Sequence, residues 1–431
     1  MMLTKFKCSK ILICLLLGAM LFLVNIPSVL AQESQGDTSD NRQIITGLEH
    51  LVEMNFEPLR GKKVGLITNA TGVDARLKST IDILHESSEV ELVALYGPEH
   101  GVRGDYAAGD KVESYTDPST GIPVYSLYGA TRKPTVDMLK GVEVLVYDIQ
   151  DIGVRSYTYI STMGLAMEAA AEQDIPFVVL DRPNPLGGLK VEGALVEKEY
   201  ESFVSAFPIP YVYGLTPGEV ARMIATEQWM ETDKKVSLEV IEMKGWKRQM
   251  TFEDTGLPWV PTSPHIPHPY SSYYYVASGI MGELGVFSEG VGYTLPFQVF
   301  AAEWIDEQLL SESMNNLNLP GVYFRPIVFK PFYGRDQSKT LRGVQIHLYD
   351  FESVELMPLQ FYFMQVHSQI YPDVSIFEQS ENRWNMFDKV NGTHQTRLQF
   401  SVDFQVEPLL KQWRTAATAF QDYSKQYWIY E

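Results

Sequence analysis

GVEVLVYDIQDIGVRSYTYI, residues 141–160, decides how the chain is read. Val142 to Val146 is a mostly apolar, β-branched run, the pattern of a strand buried on both faces. It breaks off at Tyr147-Asp148-Ile149-Gln150-Asp151, followed by Gly153, Arg155 and Tyr157. Ile160, Met163, Met167 and Ala170 then fall at helical spacing. A buried strand that delivers carboxylates, an amide and a guanidinium at its carboxyl end is where an α/β enzyme places its chemistry.

The same unit recurs on both sides. Upstream, Lys63–Ile67 reads as a strand ending in Thr68-Asn69-Ala70-Thr71-Gly72, and Leu77–Leu84 as an amphipathic helix. Val90–Leu95 is the next strand, ending in Tyr96-Gly97-Pro98-Glu99-His100-Gly101-Val102-Arg103. A short strand at Pro123–Leu127 and a short proline-opened helix at Pro134–Leu139 follow. Downstream, Pro176–Leu180 ends in Asp181-Arg182-Pro183-Asn184, and Thr216-Pro217 has the form of a helix start. Alternating strands and helices predict right-handed βαβ units, a parallel sheet, and one rim shared by the carboxyl ends of the strands. Asn69, Glu99, His100, Asp148, Asp151, Arg155, Asp181, Arg182 and Asn184 converge on that rim. Beyond about residue 260 the alternation loosens. Residues 261–275 read as irregular and aromatic, with strands at 322–330 and 343–349 and helices near 297–310, 355–370 and 404–428. A smaller α+β domain is expected there.

Met1–Ala31 has the form of a secretory signal: Lys5, Lys7 and Lys10, an apolar run, then Val29-Leu30-Ala31. Residues 32–43 read as a polar, flexible linker. Both cysteines, Cys8 and Cys14, fall inside the signal, so the mature chain would hold neither a disulfide nor a thiolate-ligated metal. Its loss takes the formal net charge from −19 to −22. Such a surface disfavours nucleic acid, and any anionic ligand must be held by local arginines. No membrane insertion is expected once the signal is removed.

Several catalytic templates fail. There is no G-x-G-x-x-G after the first strand, no H-E-x-x-H and no G-x-S-x-G, and neither metal nor cofactor is expected. His265 and His268 are three apart but sit among prolines, where histidines cap or stack more often than they ligate. Glu99 has the best credentials. It occupies a glycine-flanked turn straight after a buried strand, where partial desolvation favours the protonated form that a general acid needs. Asp148 and Asp151, Asp181-Arg182 and Asn184 are either ligand contacts or self-satisfied pairs and turns. Glu192, Glu283 and Glu289 are further carboxylates in glycine-rich stretches, and Glu289 could face the rim across a cleft. Tyrosines 270, 273, 274, 275 and 293 could stack on sugar rings or simply build core.

YGPEHGVRGD (96–105), GIPVYSLYG (121–129), VYDIQDIGVRSYTY (146–159), VVLDRPNPLGG (178–188) and TGLPWVP (255–261) closely resemble the exo-acting β-N-acetylmuramidases of the NamZ type. The likeness spans most of residues 60–300 and weakens toward residue 431. It implies a Rossmann-like domain (44–265), a smaller α+β domain closing the cleft (266–431), and release of N-acetylmuramic acid from non-reducing ends of peptidoglycan fragments outside the cell. Glu99, Asp148 and Glu289 are the expected catalytic residues. Substrate contacts fall to Asn69, His100, Arg103, Asp151, Arg155, Tyr157, Asp181, Arg182, Asn184, Glu192, His268 and Glu283. Arg155 or Arg182 is expected to read the lactyl carboxylate of muramic acid, since both carry guanidinium forks on an acidic protein. The family's E-G-T-N-V-S-E-G-R-G reads here ELGVFSEGVG (283–292), with Val286 in place of asparagine and Val291 in place of arginine; His265 also replaces an asparagine. Those losses motivate a rival expectation, a secreted glycan-binding paralogue without turnover.

Overall fold

The computed structural model describes residues 44–104 and 114–431. The signal and the 32–43 linker lie outside the described residues. Seven strands form one sheet: β1 (Lys63–Thr68), β2 (Glu91–Gly97), β3 (Tyr115–Thr116), β4 (Pro123–Ser126), β5 (Val144–Asp148), β6 (Phe177–Leu180) and β7 (Leu238–Ile241). Their order is β3-β4-β2-β1-β5-β6-β7. All neighbours pair in parallel except the edge strand β3, which runs antiparallel to β4. Leaving out β3, this is the doubly wound order, and the chain reverses its direction of winding between β1 and β5.

The decisive stretch behaves as its composition requires. In β5, Val144 and Val146 pack on one face of the sheet with α1 (Gly47–Glu53) and α2 (Thr80–Glu86). Leu145 and Tyr147 pack on the other face with α3 (Tyr159–Glu172) and α4 (Pro217–Glu227). Side chains alternate across the strand, and helices cover both sides, so no position needs to be polar. Thr216 caps α4, with reciprocal hydrogen bonds to Glu219.

The second part is built on a three-stranded antiparallel sheet, ordered β8-β10-β9, from β8 (Val299–Ala302), β9 (Val322–Phe329) and β10 (Leu341–Leu348). Around it lie α5 (Ser271–Gly282), α6 (Glu307–Asn315), α7 (Pro358–Ile370), α8 (Ile376–Gln379), α9 (Trp384–Asn391), α10 (Gln395–Asp403) and α11 (Glu407–Ser424). Phe420 of α11 and Tyr427 return to the core between the large sheet and α3/α4. Arg42–Glu431 form one compact unit. Among the described residues, no helix is long and apolar enough to cross a membrane.

Three local expectations are corrected. Residues 134–139 form a turn and no helix. The segment is too short to repay helix nucleation and runs into Gly141 at φ +85°. The helix expected near 297–310 is instead β8, buried at all four positions, and then α6, whose start is set by Asp306 accepting from the Gln308 and Leu309 amides. The irregular segment from 261 ends at Tyr270, and Tyr273, Tyr274 and Tyr275 lie in α5.

Candidate active site

The loop after β2 makes the centre of the site. Gly101 N–H donates to the Pro98 carbonyl at 3.1 Å and closes a turn that projects Glu99. His100 takes φ +75° there, a left-handed conformation that costs a non-glycine residue energy and collects at functional sites. The turn is braced from behind. Val102 is buried in the core beneath the α1/α2 face. Arg103 forks onto both oxygens of Asp117, at 2.8 and 3.0 Å, and reaches Asp82 of α2 at 3.3 Å. That guanidinium holds the Asp117 carboxyl down to about 2. Arg103 therefore fixes the loop through Asp117 and Asp82. Glu99, half-buried, is directed into a cleft of about 980 Å³.

Tyrosines and a few polar groups wall this cleft. Tyr128 and Arg132 come from the loop after β4, Ser156 to Tyr159 from the start of α3, Phe203 and Val204 from a later loop. Ser263, His265 and Ile266, Tyr275 of α5, Phe297 and Met386 of α9 close it. Tyr128 lies beside Glu99 in this lining, and burial, then the Glu99 carboxylate, push its phenol up to about 12. Tyr157 donates to Thr262 Oγ1 at 2.7 Å and Tyr159 to the Thr262 carbonyl at 2.6 Å. Ser156 and Tyr275 share a hydrogen bond of 3.2 Å. The rings of Tyr157 and Tyr159, Tyr157 and Tyr275, and Tyr275 and Phe297 meet edge to face at 5.0, 5.9 and 4.9 Å. His265 stacks on Tyr333 and hydrogen-bonds its hydroxyl at 2.7 Å. Burial, and then the nearby His100, hold the His265 imidazole below its ordinary range. Apolar walls carrying a few aimed polar groups are what a small-ligand site requires.

Most of the other rim residues lie beneath the cleft. Asp148 is fully buried and takes the Arg182 fork on both oxygens; it also accepts from Thr80 Oγ1. Arg182 spends its remaining reach on the Val73 carbonyl at 3.0 Å. A carboxylate saturated in this way is a brace, which corrects the catalytic expectation for Asp148. The lactyl-reading expectation for Arg182 is corrected with it. Arg155 is also fully buried, and its donors go to the carbonyls of Ala194, Ile209 and Val390 and to Ser205 Oγ, at 2.6–3.2 Å. Burial lowers its ionisation to about 9. With its guanidinium consumed by neutral acceptors inside the protein, Arg155 is no reader of a substrate anion either.

Asp181 accepts from Thr216 Oγ1, the Gly218 and Arg182 amides, and Tyr430 OH. Burial pushes its carboxyl up to about 7 against those donors. It secures the start of α4. Asp151 accepts from the Gly153 amide and Tyr213 OH, while its second oxygen is buried without a partner, and burial raises it to about 6. Asn184 ties the Leu215 carbonyl to the Leu186 amide, and Asn69 holds Thr71. Glu192 accepts from the Leu356 and Met357 amides at 3.2 and 2.7 Å, capping α7 at its positive end. Glu283 pairs with Arg383 at 3.1 Å. Glu289 packs against Gly282, 3.7 Å from Arg335, with burial raising its pKa. His268 stacks on Tyr270. None of these lines the Glu99 cleft. Of the expected site residues, Glu99, His100 and Tyr157 line it together, and Arg103 braces it. Among the described residues, no group of three or more His, Cys, Asp or Glu could hold a metal ion.

Tyr128, Arg132, Ser156, Tyr159, Phe203 and Met386 were missed. Tyr128 carried a usable signal, because it follows a strand within a quoted motif. Phe203 and Met386 carried none.

The profile described as "Exo-beta-N-acetylmuramidase NamZ, N-terminal" matches residues 64–270, and its C-terminal counterpart matches 273–430. The likeness thus continues well past residue 300. The peptidoglycan beta-N-acetylmuramidase NamZ of Bacillus subtilis (strain 168) is 42% identical over 421 residues, 98% of this chain and all of that protein. Two DUF1343 family proteins of Bacteroides fragilis NCTC 9343 with crystal structures each cover 90% of this chain over 99% of their own. One is 55% identical with a TM-score of 0.87, the other 28% identical with a TM-score of 0.73.

Proposed function

The chain belongs to the NamZ family of exo-β-N-acetylmuramidases, which are glycoside hydrolases, and from that premise we propose that it removes terminal N-acetylmuramic acid from the non-reducing ends of peptidoglycan fragments. The observation that carries this reading is Glu99, the one carboxylate among the described residues lining the cleft, held on a braced turn with Tyr128 beside it. In this reading Glu99 protonates the glycosidic oxygen as the aglycone leaves. The hydroxyls of Ser156, Tyr157 and Tyr275 lie where they can hydrogen-bond the hydroxyl and acetamido groups of the sugar, and the tyrosine rings pack on its apolar face. Val286 and Val291 lie outside the cleft lining, which favours turnover over a silent binding protein.

Release of nitrophenol from 4-nitrophenyl N-acetylmuraminide, and of free muramic acid from a defined muramyl disaccharide, tests the activity. Binding without release would establish the silent paralogue. We also propose export, on the strength of Met1–Ala31 alone. Amino-terminal sequencing of the protein isolated from its source should then begin near residue 32.

A further inference from the structure

Arg155 and Arg182, expected from the sequence to read the substrate anion, are committed to partners within the protein, and so is Arg103. Arg103 is forked onto Asp117, Arg182 onto Asp148, and Arg155 onto main-chain carbonyls. Among the described residues one guanidinium lines the cleft, and it is Arg132. It is exposed and lies over the ring of Phe203, its central carbon 4.2 Å from the ring centroid. No carboxylate pairs with it among the described residues.

Stacking occupies the face of a guanidinium and leaves the in-plane N–H donors directed outward. The next residue, Lys133, is tied to Glu168 and Glu172 of α3 at 2.5 and 2.7 Å, which anchors the loop. The same loop carries Tyr128, which lines the cleft beside Glu99. A single short segment after β4 therefore sets both the neighbour of the candidate acid and the cation of the cleft. On a chain of formal charge −19, an anionic substrate needs such a local cation to approach at all.

We propose that Arg132, pre-oriented on Phe203, binds the lactyl carboxylate of a terminal muramic acid and so selects that sugar over N-acetylglucosamine. This rests on the muramidase reading of the cleft, because the two sugars differ in the lactyl ether alone. The contact is a charge-assisted, fork-shaped hydrogen bond, and arginine presents that geometry where lysine offers a point charge.

Equilibrium binding of free N-acetylmuramic acid, its lactyl methyl ester and N-acetylglucosamine to the full chain tests the proposal independently of turnover. The wild type should prefer the acid to both neutral sugars. Arg132→Met should weaken binding of the acid by about ten- to a hundredfold and bring it near the ester. Arg132→Lys should recover part of that loss, and Phe203→Leu should give a smaller decrease by releasing the guanidinium from its orientation. Arg132→Met with undiminished preference for the acid, or a wild type that binds acid and ester alike, would overturn it. Nitrophenol release measured in parallel separates the two readings. Selective binding without release leaves Arg132 as the carboxylate reader and refutes hydrolysis, whereas release with no loss of selectivity in Arg132→Met does the reverse.

Discussion

Two stretches of one sheet rim treat their charges in opposite ways. At the carboxyl ends of β5 and β6, Asp148, Arg155, Asp181 and Arg182 are all 5% exposed or less, and their charged groups are bound to partners inside the protein. At the ends of β2 and β4, Glu99 is half-buried, Arg132 is exposed, and both face a cleft. The winding reversal between β1 and β5 separates the two halves. One side fixes the architecture with paired charges. The other turns its charges toward a cleft. Charged residues at strand ends are thus not one class of site, and the difference lies in whether the side chain turns into the protein or toward the cleft.

The division is open to direct attack. Glu99→Gln should lower turnover of a natural disaccharide by about 10²–10⁴ while the unfolding midpoint stays put; steady-state rates and thermal melts on the same sample check both halves of the statement. Asp148→Asn should do the converse. It strips the charge from a buried pair and leaves Arg182 uncompensated, at a cost of roughly 3–5 kcal/mol in stability, read by urea titration. A drop in kcat without loss of stability in that variant would erase the line between the two halves.

Tyr128→Phe removes the phenol hydroxyl beside Glu99, and kcat/KM should fall by roughly two- to tenfold, on the scale of one hydrogen bond offered to the acid or the sugar. The last effect is on pH. Burial lifts the Asp181 carboxyl to about 7 in the folded protein, against about 3.9 when unfolded. The folded state therefore holds this proton more tightly. Its contribution to stability is complete below about pH 4, declines as pH rises toward 7, and is lost above that. Asp181→Asn should flatten that part of the stability profile, so the difference between variant and wild type should change across pH 4–7 and level off beyond it.

The sheet was legible because apolar runs with helices between them leave few topologies open. Within it, the turn at Glu99 could be recognised from its glycines and from the strand before it. What the sequence does not encode locally is the direction in which a strand-end side chain leaves the sheet. Asp148 and Glu99 each follow a buried strand, and only the arrival of Arg182 and Thr80 makes one of them structural. Arg155 was misjudged for a related reason. Its acceptors Ala194, Ile209 and Val390 are up to 235 residues away, and main-chain carbonyls carry no sequence signature. The α6 boundary was a different kind of miss, because the Asp306 cap was present and went unused.

Tyr430 reaches back to Asp181 across 249 residues, and around it the Ile429 amide meets Glu219, the Trp428 ring covers Arg248, and the Arg248 amide donates to the Glu431 carbonyl. On the ribosome this is a question of timing. At about 5–20 residues per second, roughly 12–50 s pass between synthesis of Asp181 and of its last partner. Throughout that interval the buried acid lacks one of its donors, and Arg155 waits nearly as long for Val390. This corner of the domain is thus completed only once residues 428–431 have been made, and a polypeptide truncated before them should be less stable, and more readily proteolysed, than one that carries them.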